Sequence, residues 1–266
     1  MELADYVQSV SFRMAQPDVP GSRAFRLAAA VLGRIGLPLD VLNTRLPCEC
    51  GQTRHSLREA RQSCPAGNFA VGAIINRAVA RLAAGEAFLA LGVGDGFPLL
   101  AAISGNPDKP CIGVDPFFGR PDSGDERCRA AFLRRFESLR TADQRLHRVD
   151  FGDFFTQLHD VPIGFCLIGA SPGNDPLERL EASEPHLAEN AIVLVENANS
   201  PDVRDAGLCF IRSSRNQYRV LLDRRAPHHG GLTFGNGLLL FQLLGQNAAA
   251  DRRTRTPAAP ALVPAA

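Results

Sequence analysis

The chain has 266 residues, 45% of them hydrophobic and 21% charged, with a formal net charge of +1. That is enough apolar material for one large core, alone or with an appendage, and it offers no electrostatic case for binding nucleic acid or an anionic membrane surface. No apolar stretch reaches bilayer-spanning length, and Met1 to Gln16 lacks an apolar run of signal-peptide length, so the expected setting is cytoplasmic.

Residues 1–67 read as an N-terminal helical and loop extension. An amphipathic helix is expected over Ser22–Ile35, stopped by Gly36-Leu37-Pro38, then a loop over Arg45–Gly51 and a short polar helix over His55–Ser63. Cys48, Cys50 and Cys64 with His55 raise a zinc or redox alternative, but Cys-x-Cys lacks the two-residue gap of zinc knuckles. Cys111, Cys128, Cys166 and Cys209 read instead as small buried apolar residues. Lys109 is the only lysine, a bias read as genome composition.

Asn68 is placed to cap a helix through Ala70, Ile74, Ile75, Ala78 and Leu82. Ala87–Leu91 then reads as a strand buried on both faces. It breaks into Gly92-Val93-Gly94-Asp95-Gly96 and an apolar helix with Pro98 in its first turn, and a second strand, Cys111–Val114, ends in Asp115. This βαβ unit reads as a nucleoside site, with glycines allowing close backbone approach and Asp115 placed to accept from both ribose hydroxyls.

Beyond a Pro/Gly-rich loop from Pro116 to Gly124, a helix is expected over Asp125–Leu139 and a strand over Leu146–Val149 that ends in Asp150. Helix Phe154–Leu158, strand Ile163–Ile168, helix Asp175–Ala188 and strand Ala191–Val195 follow, the last running into Glu196-Asn197. After a helix over Val203–Ser213, strands Tyr218–Asp223 and Gly237–Leu244 have no room between them for a crossover helix and form an antiparallel hairpin. Residues 246–266, dominated by Ala, Pro and Arg, read as a disordered tail.

A nicotinamide-cofactor fingerprint would need glycine where Phe97 stands. The G-x-G-x-G pattern of Gly92, Gly94 and Gly96, with Asp115 closing the next strand, resembles motif I of the class I S-adenosylmethionine-dependent methyltransferases. The terminal hairpin fits that family, which inserts an antiparallel seventh strand beside the sixth. The resemblance covers about residues 68–245. It is nearest the small-molecule and sugar O-methyltransferase group, through Ile112-Gly113-Val114-Asp115-Pro116-Phe117 and Ile192-Val193-Leu194-Val195-Glu196-Asn197.

The resemblance implies an α/β, Rossmann-like seven-stranded fold and S-adenosyl-L-methionine as cofactor, held by Leu91, Gly92, Val93, Gly94, Asp95, Gly96, Asp115, Pro116 and Asp150. It implies a small-molecule acceptor, and leaves a homo-oligomer open. A hydroxyl acceptor needs its proton removed by a base or by a metal that lowers its pKa: one of His228 and His229 in the hairpin loop is the candidate base, the alternative there being a solvent-exposed histidine pair, while Glu196 and Asn197 at the end of the fifth strand offer oxygen ligands to a hard cation. Phe117, Phe118 and Phe234 line an apolar pocket or simply pack the core. Two residues depart from the family: Gly169 stands where a carboxylate often follows the fourth strand, and Ala90 where one often holds the methionine amino group. No metal ligand set is assigned, and a divalent cation at Glu196-Asn197 is the less favoured option. The alternatives are a methyltransferase-fold binding protein that has lost catalysis and, behind it, an NAD(P)-dependent oxidoreductase.

Overall fold

A computed structural model describes residues 1–23, 25, 27, 31, 38–48, 51–117, 123–169 and 175–245. Its N-terminal part holds helix α1 (Leu3–Ser9), strand β1 (Ser11–Phe12), helix α2 (Leu39–Asn43), strand β2 (Thr44–Arg45) and helices α3 (Gly51–Ser63) and α4 (Phe69–Val79). Alternation then sets in with β3 (Ala87–Leu91), α5 (Phe97–Ile103), β4 (Cys111–Val114), α6 (Ser123–Leu139), β5 (Gln144–His147) and α7 (Phe151–Gln157). It continues through β6 (Ile163–Ile168), α8 (Pro176–Ser183), β7 (Leu187–Glu196) and α9 (Pro201–Ser213), and closes with β8 (Gln217–Arg224) and β9 (Leu238–Gly245).

Apolar runs without a charged residue make β3, β4 and β6 the buried middle of the sheet, and every residue in them is buried. The strand order is β5-β4-β3-β6-β7-β9-β8. The first five pair in parallel, while β9 runs antiparallel to both β7 and β8. The order reverses between β3 and β6, and the crevice at such a reversal is where open α/β sheets bind ligands.

Several expected boundaries shift, among them the starts of α3 (Gly51) and α7 (Phe151), and two of the shifts have plain physical reasons. Strand β5 starts at Gln144 rather than Leu146, because the fully buried Gln144 side chain bonds Asn106 O at 2.9 Å and the Thr141 amide at 3.1 Å. A polar residue satisfied in this way carries no hydropathy signal. The helix expected to run to Ala188 stops at Ser183; a 3₁₀ turn over Glu184–His186 contains Pro185, and β7 begins at Leu187. Of the helix expected over Ser22–Ile35, Ser22 is not helical and Arg23, Phe25, Leu27 and Val31 are; the other positions, with Cys50, Phe118, Ala170 to Pro172 and the 246–266 tail, lie outside the described residues. Cys209, expected inside, is exposed.

Helices cover both faces of the sheet. On one, α4, α5 and α6 pack with N-terminal residues in a single core that joins Leu3, Tyr6, Phe12 and Val41 to Ala90, Leu167 and Leu194. On the other, α7, α8 and α9 supply Phe154, Leu180 and Phe210. Helix α4 is capped by Asn68, whose Oδ1 accepts from Val71 N at 3.1 Å, and it is buried nearly all round because the N-terminal segment wraps it. Among the described residues no helix is long and apolar enough to cross a membrane.

Two buried polar side chains hold that wrapping segment. Asp40 Oδ2 accepts from Phe69 N and Arg61 Nε, both at 3.0 Å, fastening α2 to the start of α4. Asn43, fully buried, accepts from the amides of Met14 and Ala15 at 2.7 and 3.0 Å and donates to Ala15 O and Leu232 O at 3.0 and 2.9 Å. It therefore ties the N-terminal segment to the loop between β8 and β9. Replacing it leaves several buried groups without partners. Asn43→Ala is expected to lower the unfolding free energy by about 2–4 kcal/mol in urea titrations, whereas Arg140→Ala, which removes an exposed pair with Glu137, shifts it by less than about 0.5 kcal/mol.

Candidate functional site

The turn after β3 is left-handed at all three glycines, with φ of 90° at Gly92, 62° at Gly94 and 96° at Gly96. They serve different ends. A Cβ on Gly96 would lie 2.1 Å from the Phe132 ring, so that glycine serves packing. A Cβ on Gly94 would meet nothing within 4 Å, so that glycine sets the backbone direction and leaves an open face.

Asp115, buried at the tip of β4, holds this loop in shape. Its Oδ2 accepts from Val93 N at 2.8 Å and Gly94 N at 3.1 Å, and its Oδ1 from Phe117 N at 2.8 Å. Three of a carboxylate's roughly four acceptor positions thus serve the chain itself.

The loop opens onto a cleft of about 440 Å³. Gly92, Val93, Gly94 and Asp95 form one wall, Asn68 and Val71 from the start of α4 another, and Glu196, Asn197 and the segment from Phe234 to Leu238 the far side. Asp95 Oδ1 accepts from Phe97 N at 3.0 Å, which caps α5, while Oδ2 is shielded from solvent and makes no hydrogen bond of good geometry. Burial pushes the Asp95 carboxyl up, against the pull of the Phe97, Ala66 and Gly67 amides and of Arg61. Glu196, at the end of β7, is pushed up to about 7 by burial and then by the charge of Asp95. Asn197 beside it adopts φ 64°, which turns the chain so that Ala198 and Asn199 donate to Gly237 O and Asn236 O at 3.2 and 2.7 Å.

Of the residues singled out by sequence, Gly92, Val93, Gly94, Asp95, Glu196 and Asn197 therefore meet around one cleft. Leu91 and Asp115 lie behind the loop as its supports. Pro116 is half-buried next to Asp115, and Asp150 is exposed and caps α7 through Gly152 N at 2.9 Å. His228 is exposed and is not part of the cleft wall; its amide donates to Pro17 O at 3.4 Å. His229 is buried with its ring edge-on to Phe25, 5.5 Å between centroids. Phe234 faces the cleft and also packs edge-on against Phe12, while Phe117 lies beneath the guanidinium groups of Arg129 and Arg148. Cys64 is buried, Cys48 is exposed, and His55 pairs with Glu59 at 3.3 Å; among the described residues no group of three or more His, Cys, Asp or Glu is placed to hold a metal.

Position 169 explains its own glycine. Gly169 N donates to Leu91 O at 2.9 Å, and a Cβ there would lie 2.2 Å from Gly92 O, so no side chain fits. Sequence reading missed the contribution of α4 to the cleft and also missed Arg179, a buried arginine on α8. The available signal was an arginine between Leu177 and Leu180 on the apolar side of that helix.

No protein-family model matches the chain, and no curated protein matches it. Among solved structures it is similar to a protein from Corynebacterium glutamicum, with a TM-score of 0.53 at 16% identity over 85% of this chain and 100% of that one. Weaker likeness extends to the O-methyltransferase TomG from Streptomyces achromogenes, solved in complex with SAM (TM-score 0.49, 16% identity, 74% of this chain and 92% of that one). It extends also to a methyltransferase from Geobacter sulfurreducens (TM-score 0.43, 16% identity, 86% and 93%). At these identities the likeness is one of fold.

The raised Glu196 carboxyl has a consequence for stability. Its pKa in the fold lies above its unfolded value, so its contribution is fully present below the ordinary carboxylate range and is lost as pH rises through about 7. Glu196→Gln stays neutral throughout. Its thermal midpoint should exceed that of the parent protein at about pH 8–9 and converge with it near about pH 4. A difference that does not vary with pH would show that Glu196 ionises as a solvated carboxylate.

Proposed function

The chain has the seven-stranded fold of the class I S-adenosylmethionine-dependent methyltransferases, and we propose that it works as one, passing a methyl group from S-adenosyl-L-methionine to an oxygen of a small molecule. The observation that carries this reading is the left-handed glycine loop at the reversal of strand order, braced by Asp115 and opening through Gly94 onto the cleft. The residues present suit that cofactor. Gly94 leaves room for close approach, and the unpartnered Oδ2 of Asp95 suits a cationic amino-acid arm.

Gly92, Val93 and Gly94 would supply the backbone that the cofactor lies against, with Leu91 and Gly96 holding that backbone from behind, and Asp115 would offer its remaining acceptor capacity to the ribose. Pro116 and Asp150 flank the adenine side. When bound, the cofactor supplies an electrophilic methyl group on a sulfonium. The chain then has two tasks. It aligns the acceptor with that methyl, which is worth up to about 7–11 kcal/mol, and it removes the acceptor's proton. Glu196 takes that proton, since a carboxylate raised to about 7 is poised for transfer near neutrality. Asn197 orients the acceptor beside it. Between the two candidate bases, Glu196 is favoured over His228 because Glu196 faces the cleft.

A second reading, a binding protein that has lost catalysis, is favoured by two observations. Ala90 is fully buried inside β3, and position 169 has no space for a side chain. Calorimetric titration separates the readings. Micromolar binding of S-adenosylmethionine and S-adenosylhomocysteine, with none of NAD, supports the methyltransferase site, and silence for all three sinks it. With an acceptor in hand, turnover should rise with pH and level off above about 7, because the base acts deprotonated. Glu196→Gln should lower turnover by about 10²–10⁴-fold while leaving S-adenosylhomocysteine affinity within about threefold. Tight binding without turnover on any hydroxyl acceptor would favour the binding protein.

A further inference from the structure

We infer that Arg179 is a positioning residue for the glycine loop, setting from the opposite side of the sheet the backbone on which the cofactor site proposed above rests. Arg179 sits on α8, whose N-terminus is capped by Asp175 through Leu177 N at 2.9 Å, and it is 3% exposed. Its Nη1 donates to two carbonyls at once, Leu91 O at 3.0 Å and Gly169 O at 2.8 Å.

Those carbonyls mark the end of the β3–β6 ladder. The last paired residues are Leu91 and Ile168, and Gly169 N closes the run on Leu91 O. The next amides on the β3 side, Gly92, Val93 and Gly94, are bonded to Val114 O and Asp115, so among the described residues the ladder offers Gly169 O no further amide. The guanidinium supplies donors where the ladder stops, its Nη1 alone reaching the carbonyls of both strands.

The consequence passes directly to the loop. Gly92 N is held by Val114 O at 2.9 Å on the β4 side, and Leu91 O by Gly169 N and Arg179 on the β6 side. The peptide that opens the turn is therefore fixed from both neighbours. The next two amides, Val93 and Gly94, are fixed by Asp115. Contact at Gly169 is close enough that its Cα hydrogen faces Gly92 O, so a shift of the β6 end moves the loop. The arginine also keeps a shielded Nε without a hydrogen-bond partner, an unfavourable arrangement retained alongside its two carbonyl bonds. Asp115 and Asp175 are the carboxylates whose field favours its charge.

The test uses the full chain with Arg179→Lys, which keeps the charge but ends one bond short of the Nη1 position that bonds Leu91 O and Gly169 O, and Arg179→Met as the more drastic change. Hydrogen–deuterium exchange of the ligand-free protein reads the loop directly. In Arg179→Lys, exchange at residues 92–97 should accelerate by at least about tenfold while α4 stays within about twofold of the parent. S-adenosylhomocysteine affinity should fall by at least about tenfold in the same folded variant. Unchanged loop exchange, or an equal rise in the loop and in α4, overturns the inference, the latter by showing a general stabilising role. If Arg179→Met does not fold, the lysine variant decides. If the parent protein binds no S-adenosylhomocysteine, the methyltransferase reading falls, and the exchange pattern still decides the role of Arg179.

Discussion

The Asp115 carboxylate is the interaction on which the site depends. In the turn after β3, Gly92 N is bonded to Val114 O and Gly96 N to Val93 O, with the Val93 and Gly94 amides lying between them. Asp115 gathers those two and one from Phe117, just past the end of β4, at distances of 2.8–3.1 Å. Charge-assisted bonds of this kind are shorter and stronger than neutral ones, and they satisfy acceptor positions that burial would otherwise leave empty. The loop and the acid are mutually necessary. One is shaped by the other, and any ligand the acid receives meets a loop already in place.

Around that centre the protein uses buried polar side chains as fasteners between segments far apart in sequence. Asp40 joins α2 to α4, Asn43 joins the first turn of chain to the β8–β9 loop, and Arg179 joins the ends of β3 and β6. Each is almost fully buried, and each bonds the backbone of a segment distant in sequence. Hydrophobic packing sets how close these segments come, since it has no direction of its own, and the polar fasteners set their register. The N-terminal segment shares its core with the sheet, which is why α4 can be buried on every side and still contribute a wall of the cleft.

Much of this was legible from sequence, for identifiable reasons. Strands β3, β4 and β6 lie where their apolar runs predict, because Gly and Pro punctuate both ends and no charge interrupts them. The antiparallel β8–β9 pair followed from a connection too short for a crossover. The glycine loop and Asp115 were legible as a pair, but the pattern suggested a ligand for the acid and concealed its bonds to the loop, formed across a separation of 21–22 residues. Gln144 and Arg179 were misread or missed for the same reason: a polar side chain satisfied by distant backbone looks, in sequence, like a surface residue. His228 shows the converse, since a reactive residue type in a suitable loop carries no information about which way the loop faces.

The strand order also dictates when the cleft can exist during synthesis. Strand β8 pairs only with β9, and β9 is the bridge between β8 and β7. A nascent chain that has reached Arg224 can complete the parallel part of the sheet, yet β8 has no strand to pair with until β9 emerges. The segment from Phe234 to Leu238, which closes the far side of the cleft, enters with that strand. The glycine loop can therefore be folded and braced while its pocket still lacks a wall. Ligand binding reports completion of the sheet, and a truncation within β9 would leave a well-formed loop facing open solvent.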